Sequence, residues 1–440
     1  MSSLSRNIFS HASSTALGSL IQFFLIVVIA HFLKITEFGR FTVITASIAI
    51  LEIVSDLGLR VLIIQFYSVD DEQKNKEAFT YAMTIKIGVI ILLCLMVFLT
   101  QWSLFTKEEL LLGVLIASLQ PGTDPYLWFL RGRERLDLEA KIVVIWRLLN
   151  AILLAIIAYV FKDISLLLWA WLFSNGVRII IEINVIKKLF DSSYDYLSLQ
   201  LHHLQRDQLI SILKGALPIG ISLLLMAFYI RMNLIIIGSI GSATDVALYG
   251  AAFTIVVSAG FIGTSITIAT FPALVRAIEK KNFDKAHQII YKKLNMISLI
   301  IGSGCLLGIA LAPWIVKLFY PEEYAKSADV MIWLFPGLYL STLNFALKYL
   351  LNALYLSKKE ILSVFVGMGT LIILLYFLNK IIPHLFLSAA IAWSLSELAM
   401  FSTKIIQLQQ NSHLRIKRAN IALYVLVYCL MLLFAFLRHT

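Results

Sequence analysis

Residues 51–60 read LEIVSDLGLR and lie inside an apolar stretch, 41–64, that is long enough to cross a bilayer. The stretch carries Glu52, Asp56 and Arg60, each four residues after the last. On a continuous helix this spacing predicts that the three side chains stack on one face. Because an ionisable side chain facing lipid costs about 2.5–3.5 kcal/mol on insertion scales, we expect that face to contact protein or water.

The composition is that of a multi-pass membrane protein. Of the 440 residues, 60% are hydrophobic and 14% are charged, and the mean hydropathy is +0.87. Soluble domains are close to half apolar and about a quarter charged. The first apolar run, 13–33, is too long for a signal-peptide core and no small-residue cleavage site follows it, so we expect an uncleaved span. The cysteines all lie in apolar runs, and no Cys–His spacing indicates a metal site, so we predict no disulfide, metal or cofactor.

Twelve apolar runs have about the length that a spanning helix needs. They are 13–33, 41–64, 78–100, 109–131, 142–161, 164–186, 215–237, 247–272, 294–316, 327–354, 361–380 and 384–408. With the N-terminus inside, most Lys and Arg residues between the runs fall on the cytoplasmic side, as the positive-inside rule requires. We therefore predict an all-α membrane protein with a twelve-helix core. The sequence leaves open whether a further apolar segment, 421–437, spans the membrane or lies flat on it.

The longest polar segment separates the twelve runs into two groups of six. We expect an N-lobe at 1–186, a cytoplasmic linker at 187–214, a C-lobe at 215–408 and a tail at 409–440. EFGRFTVITASI (37–48) and DVALYGAAFTIV (245–256) are weakly similar and follow the first and seventh runs, and such internal repeats are common in secondary transporters. His202 and His203 in the linker are interpreted as solvated residues rather than metal ligands.

Five segments, in order, resemble the polysaccharide transporters of the multidrug/oligosaccharidyl-lipid/polysaccharide exporter superfamily. They are FGRFTVITASIAILEIVSDLGL (38–59), RMNLIIIGSIGSATDVALYGAA (231–252), FPALVRAIEKKNFDKA (271–286), APWIVKLFYPEEYAKSADVMIWL (312–334) and LLNALYLSKKE (350–360). The resemblance runs from about residue 5 to 410. It implies two pseudo-symmetric six-helix lobes around a central cavity, and flipping of undecaprenyl-diphosphate-linked O-antigen or capsule repeat units. The chain departs from the family pattern at Asn233, where an acidic residue is frequent, and at Tyr320-Pro321, where Gly often follows the aromatic pair.

Cationic residues inside the predicted spans are candidates for binding the diphosphate, because Arg can hold phosphate oxygens bidentately. The candidates are Arg60, Lys86, Arg147, Arg178, Lys348 and Arg231. All lie in the cytoplasmic halves of their spans except Arg231, which lies towards the outer end of the seventh. Alternatively, Arg60, Arg147 and Lys348 reach the headgroups without contacting substrate, and Arg178 pairs with Glu182 one turn on.

Four carboxylates are candidates for ion coupling or for binding sugar hydroxyls: Glu52, Asp56, Asp124 and Glu397. Asp124 lies in QPGTDPY (120–126), whose prolines predict a break in the fourth helix, so it could instead cap the broken segment. Asp56 could instead pair with Arg60. The neutral side chains of Asn150 and Asn233 are expected to add hydrogen bonds to a glycan.

These features predict a flippase rather than an enzyme. No external loop is long enough to form a domain, and no P-loop pattern is present. We expect transport by alternating access, coupled to an ion gradient as in an antiporter, in the bacterial cytoplasmic (inner) membrane. The expected partners are the undecaprenyl-diphosphate-linked glycan, membrane lipids and the polysaccharide polymerase machinery, with no nucleic acid. The alternatives are a multidrug exporter of the same superfamily, a lipid II flippase and a membrane-bound polysaccharide polymerase.

Overall fold

The computed structural model describes residues 3–68, 71–99, 105–189, 204–410 and 415–439. Residues 190–203 of the predicted linker, with His202 and His203, lie outside the described residues. The described residues form sixteen α-helices and two short 3-10 turns, without strands.

The helices are α1 (Ser3–Phe32), α2 (Ile35–Asp56), α3 (Leu59–Tyr67), α4 (Glu72–Leu99), α5 (Lys107–Ser118), α6 (Pro125–Gly132), α7 (Leu136–Val160), α8 (Ile164–Leu189), α9 (Arg206–Ile240), α10 (Ala243–Ala259), α11 (Phe261–Glu279), α12 (Phe283–Phe319), α13 (Ser327–Ala353), α14 (Ser357–Ile381), α15 (Leu385–Gln409) and α16 (Arg418–His439).

The helices confirm the predicted all-α membrane fold. Among the described residues, 11 helical stretches are long and apolar enough to cross a membrane, with α10 and α11 joined as one of them. Leu17–Phe32 adds a shorter apolar helix. The predicted fourth span is absent from this set because it is divided between α5 and α6. The last of the 11 stretches is Arg418–Arg438. The apolar segment 421–437, whose placement the sequence left open, therefore belongs to a helix that is long enough to span the membrane.

The helices pack into two compact units, Met1–Ile235 and Ile236–Thr440. In the first unit, α1 packs along α7, and α5 packs against α2 and α8. In the second unit, α13 packs against α12 and α15, and α14 packs against α15. The boundary between the units falls inside α9, whereas the sequence suggested a boundary in the linker before it. The division into lobes at 187–214 stays a prediction.

The second span is not a continuous helix, so the prediction of three charges on one helical face is wrong. Leu57 and Gly58 adopt left-handed conformations, with φ of 50° and 82°, and separate α2 from α3. The Leu57 amide donates to the Ile53 carbonyl (3.0 Å), which closes the end of α2. Asp56 Oδ1 accepts from the Arg60 amide (3.0 Å) and caps the first turn of α3. Glycine adopts this conformation without the steric cost of a Cβ, which accounts for the break at this position.

The break also brings two backbones into contact. A Cβ on Gly58 would lie 2.5 Å from the Gly220 nitrogen of α9, and a Cβ on Gly220 would lie 2.5 Å from the Leu57 carbonyl. Neither position has room for a side chain. The two glycines therefore hold the turn between α2 and α3 directly against α9.

We expect Gly58→Ala to destabilise the protein. The positive φ of Gly58 costs an L-residue about 1–3 kcal/mol, and the new Cβ would overlap backbone atoms of α9. Gly88→Ala is the matched control, because a Cβ at Gly88 in α4 meets no heavy atom within 4 Å. Thermal unfolding of the two purified variants in detergent measures the difference. Equal melting temperatures would contradict the role assigned to the glycine contact.

Candidate functional site

In the first unit, one carboxylate faces three guanidinium groups. Glu52, near the end of α2, interacts electrostatically with Arg60 of α3, Arg147 of α7 and Arg231 of α9. All four side chains are partly buried. Among the described residues, none of the four side chains makes a hydrogen bond or an ion pair within 4 Å. The three guanidinium groups therefore keep their donors available for a ligand.

Two glycines make room for this cluster, which we call the Glu52 cluster. A Cβ on Gly122 would overlap Glu52 Oε1 and would lie 3.4 Å from Arg60 Nη1. A Cβ on Gly18 of α1 would overlap the Arg147 guanidinium. Sequence reasoning named Gly122 only as part of the break in the fourth helix and missed Gly18, since nothing in the local pattern shows which side chain approaches either glycine. Asp56 also interacts electrostatically with Glu52 and with Arg60, so three guanidinium groups lie near two carboxylates, and the excess positive charge suits an anion.

The remaining predicted polar residues near these positions have different surroundings. Asp56 is buried and caps α3 through the Arg60 amide, and it also interacts electrostatically with the side chains of Arg60 and Lys86. Asn150 lies one turn after Arg147 and is 5% exposed, and its Oδ1 has no hydrogen-bond partner in the described part of the chain. Asn233, two residues after Arg231, is also buried.

A second set of charges is completely buried around the break in the fourth helix. Arg178 Nη1 of α8 lies 2.8 Å from Asp124 Oδ2 and 2.5 Å from Glu182 Oε1. The three side chains are at most 2% exposed. Asp124 Oδ1 also accepts from the Tyr126 amide (2.9 Å) and so caps α6. Both alternatives that the sequence raised for these residues, pairing of Arg178 and capping by Asp124, are therefore present in the structure.

Cations also satisfy carbonyl groups that the break releases. Arg178 Nη2 donates to the Leu119 carbonyl, and Lys86 Nζ of α4 donates to the Thr123 carbonyl. Trp128 Nε1 donates to the Gly122 carbonyl at 3.1 Å. Backbone groups without partners in a bilayer cost several kcal/mol each, so these contacts make the broken helix tolerable. The structure thus places Lys86 and Arg178 at the break, which adjoins the Glu52 cluster at Gly122, and their role in substrate binding stays a prediction.

The second unit contains its own buried polar chain. Lys404 Nζ lies 3.0 Å from Glu360 Oε2 and donates to the Asn344 carbonyl at 3.0 Å. The Asn344 amide donates to Glu397 Oε2 at 2.7 Å. Sequence reasoning found Glu397 but missed Lys404, Glu360 and Asn344, although Lys404 and Asn344 lie within predicted spans and could have been found by the same criterion.

Lys348 is partly buried on α13 and is close enough to Lys404 to repel it electrostatically. It makes no hydrogen bond or ion pair among the described residues. Within the same described residues, no group of three or more His, Cys, Asp or Glu side chains could hold a metal ion.

Solved structures with the same fold are transporters and a flippase. The lipid II flippase MurJ in an inward closed conformation aligns over 97% of this chain and 91% of its own, with a TM-score of 0.70 and 13% identity. An inward-facing multidrug resistance MATE family transporter of the MOP superfamily aligns over 90% and 96%, with a TM-score of 0.65 and 14% identity. A mutant of the Vibrio cholerae MATE transporter VcmN aligns over 93% and 98%, with a TM-score of 0.60 and 16% identity.

Sequence comparison shows the family. Among curated proteins, no sequence matches the chain. Residues 218–378 match the MatE family model, and residues 4–278 match the model described as polysaccharide biosynthesis protein. Because the match to the polysaccharide biosynthesis protein model covers more than half of the chain, the chain belongs to that family.

Proposed function

We propose that this protein flips undecaprenyl-diphosphate-linked oligosaccharide repeat units, of the O-antigen or capsule type, from the cytoplasmic to the outer leaflet of the bacterial inner membrane. The observation that supports this most is the Glu52 cluster, where Arg60, Arg147 and Arg231 lie near the Glu52 carboxylate and form no ion pair within the described part of the chain. The family match to polysaccharide biosynthesis proteins supports a glycan as the cargo. The MurJ fold supports a lipid-linked substrate.

The charge of the cluster favours an anionic substrate. Arginine side chains inside a membrane are costly, and they occur mostly where they serve a pathway or a partner. A diphosphate offers several oxygens to the planar donor forks of Arg. An organic cation would be repelled by the three guanidinium groups, and this repulsion is strong where water is scarce. The cluster therefore fits the diphosphate better than it fits a cationic drug.

Glu52 is the internal counter-charge in this proposal. When ionised, its carboxylate attracts the same three guanidinium groups that the diphosphate needs, so Glu52 and the substrate compete. Protonation of Glu52 would free the guanidinium groups for the substrate. Proton and substrate would then bind together, so a proton gradient that runs in the direction of flipping would drive it without ATP, whereas the antiport expected from the sequence needs the opposite linkage.

The test is complementation of cells that lack the protein. Loss of the protein is expected to strand undecaprenyl-diphosphate glycans in the inner leaflet, and Arg231→Ala is expected not to rescue transfer despite normal expression. Arg206→Ala is the matched control, because Arg206 is exposed at the start of the same helix and should rescue fully. Normal transfer of repeat units in cells without this protein or any redundant flippase would refute the proposal.

Multidrug export is the second candidate, because two of the matched structures are MATE transporters and residues 218–378 match MatE. The same deletion strain distinguishes the two functions. We expect its sensitivity to cationic drugs to be unchanged. Increased drug sensitivity without accumulation of lipid-linked repeat units would favour the exporter.

A further inference from the structure

An apolar groove runs along the lipid-facing side of the first unit, between α7 and α8. Its volume is about 320 Å³. Nine of its twelve lining residues are apolar, with Lys141, Ser174 and Arg178 as the exceptions. Several apolar side chains are well exposed in the groove: Ile145, Leu149, Phe173 and Ile181 are 58%, 56%, 69% and 44% exposed. In a membrane-spanning segment, such a surface is covered by hydrocarbon.

The length of the groove matches one lipid leaflet. It extends on α7 from Lys141 to Leu153, which is about 18 Å along a helix axis. One leaflet of the hydrocarbon core is about 15 Å thick. On the topology that the positive-inside rule predicts, Lys141 lies at the cytoplasmic end. A phospholipid acyl chain of the cytoplasmic leaflet fits this length, whereas an undecaprenyl tail is far longer than the groove.

The cytoplasmic end of the groove has an unpaired cation. Lys141 is exposed and makes no hydrogen bond or ion pair among the described residues. Arg131 and Arg135, just before it, are already paired, with Glu139 at 2.5 Å and with Asp137 at 3.2 Å, and Arg133 lies over the Phe129 ring. Lys141 therefore remains free to contact a negatively charged headgroup.

The wall of the groove connects it to the buried charges around the helix-four break. Trp146 stacks over the Arg178 guanidinium, with the guanidinium carbon 5.5 Å from the ring centroid, and its Nε1 donates to the Ser174 carbonyl at 3.1 Å. Both Trp146 and Arg178 line the groove. A chain lying there would keep water away from the ion pair of Arg178 with Asp124.

We propose that this groove binds one anionic glycerophospholipid of the cytoplasmic leaflet, with its headgroup phosphate at Lys141 and one acyl chain over Trp146 and Arg178. The bound lipid stabilises the break in the fourth helix by sealing the ion pair behind it. This site is separate from the Glu52 cluster and does not depend on the function proposed above.

Native mass spectrometry of the purified full-length protein tests the site, with phosphatidylglycerol and phosphatidylcholine of identical acyl chains as probes. We expect wild type to retain one phosphatidylglycerol about fivefold more tightly than phosphatidylcholine. This is the affinity ratio that corresponds to about 1 kcal/mol from one lysine beside an anionic headgroup. Lys141→Gln should remove this preference, and Val177→Trp should fill the groove and displace both lipids. The matched controls are Lys358→Gln, an exposed lysine at the start of α14, and Ile152→Trp, on α7 outside the groove.

A second readout separates loss of the lipid from loss of the fold. Phosphatidylglycerol should raise the melting temperature of wild type and both controls, but not that of Lys141→Gln or Val177→Trp. If Val177→Trp does not fold, Leu149→Trp fills the same groove from α7. The proposal is overturned if Lys141→Gln keeps the phosphatidylglycerol preference, if the groove-filling variant binds lipid as wild type does, or if equimolar undecaprenyl phosphate displaces the phospholipid.

Discussion

Replacement of Arg178 by alanine is expected to lower the free energy of unfolding by about 3–5 kcal/mol, the usual cost of removing one partner of a buried ion pair. The variant would leave Asp124 and Glu182 buried side by side with no neutralising partner within hydrogen-bond distance. It would also remove the donor to the Leu119 carbonyl at the break in the fourth helix.

Arg147→Ala is the matched control for this effect. Arg147 also lies in a predicted span, but it is only partly buried and has no ion pair among the described residues. Its removal should therefore change stability much less while reducing transport. Thermal unfolding in detergent, followed by tryptophan fluorescence, compares the two variants. If Arg178→Ala melts at the same temperature as Arg147→Ala, the buried ion pair does not support the break.

Glu52→Gln is expected to abolish the pH dependence of substrate binding. In wild type, the ionised carboxylate competes with the diphosphate for Arg60, Arg147 and Arg231, so affinity should rise as the pH falls and Glu52 gains a proton. Glutamine has no charge at any pH, so the variant should bind at high pH as tightly as wild type binds at low pH. The variant should therefore lose the coupling free energy between protonation and substrate binding, which is about 1–3 kcal/mol.

The measurement is binding of undecaprenyl diphosphate to the purified protein across a range of pH, followed by flipping in vesicles with an imposed proton gradient. Glu77→Gln is the matched control, because Glu77 is partly exposed near the start of α4 and accepts a hydrogen bond from the Gln73 amide at 3.0 Å. We expect a proton gradient that runs in the direction of flipping to accelerate flipping by wild type and by Glu77→Gln but not by Glu52→Gln. If Glu397→Gln removes the pH dependence and Glu52→Gln keeps it, the coupling carboxylate lies in the second unit instead.

The class of fold and many of the helices could be predicted because they depend on local properties of the chain. A bilayer requires about twenty consecutive apolar residues in each spanning helix, and these runs are visible without any partner. Pro121 and Pro125 break the fourth helix wherever it packs, because proline lacks the amide that a helix needs. The segments quoted above were likewise sufficient to identify the family.

The candidate site was only partly predictable because it depends on which helices touch. Counting charges in the spans identified Glu52, Arg147 and Arg231 as candidates. That they lie close together depends on Gly18 and Gly122, which leave space for side chains from other helices. The same counting did not show that the cations near the helix-four break satisfy backbone carbonyls.

The sequence by itself thus determined the all-α membrane fold, the break at the prolines and the family, since hydrophobicity and proline act on their own stretch of chain. Only the tertiary structure decided that Gly58 breaks the second helix against Gly220 and that Arg178 pairs with Asp124, 54 residues away. A single glycine in an apolar span is compatible with a straight helix, and an intramembrane arginine is compatible with several partners. Packing selects among these possibilities, because buried backbone and charged groups must find partners inside the protein.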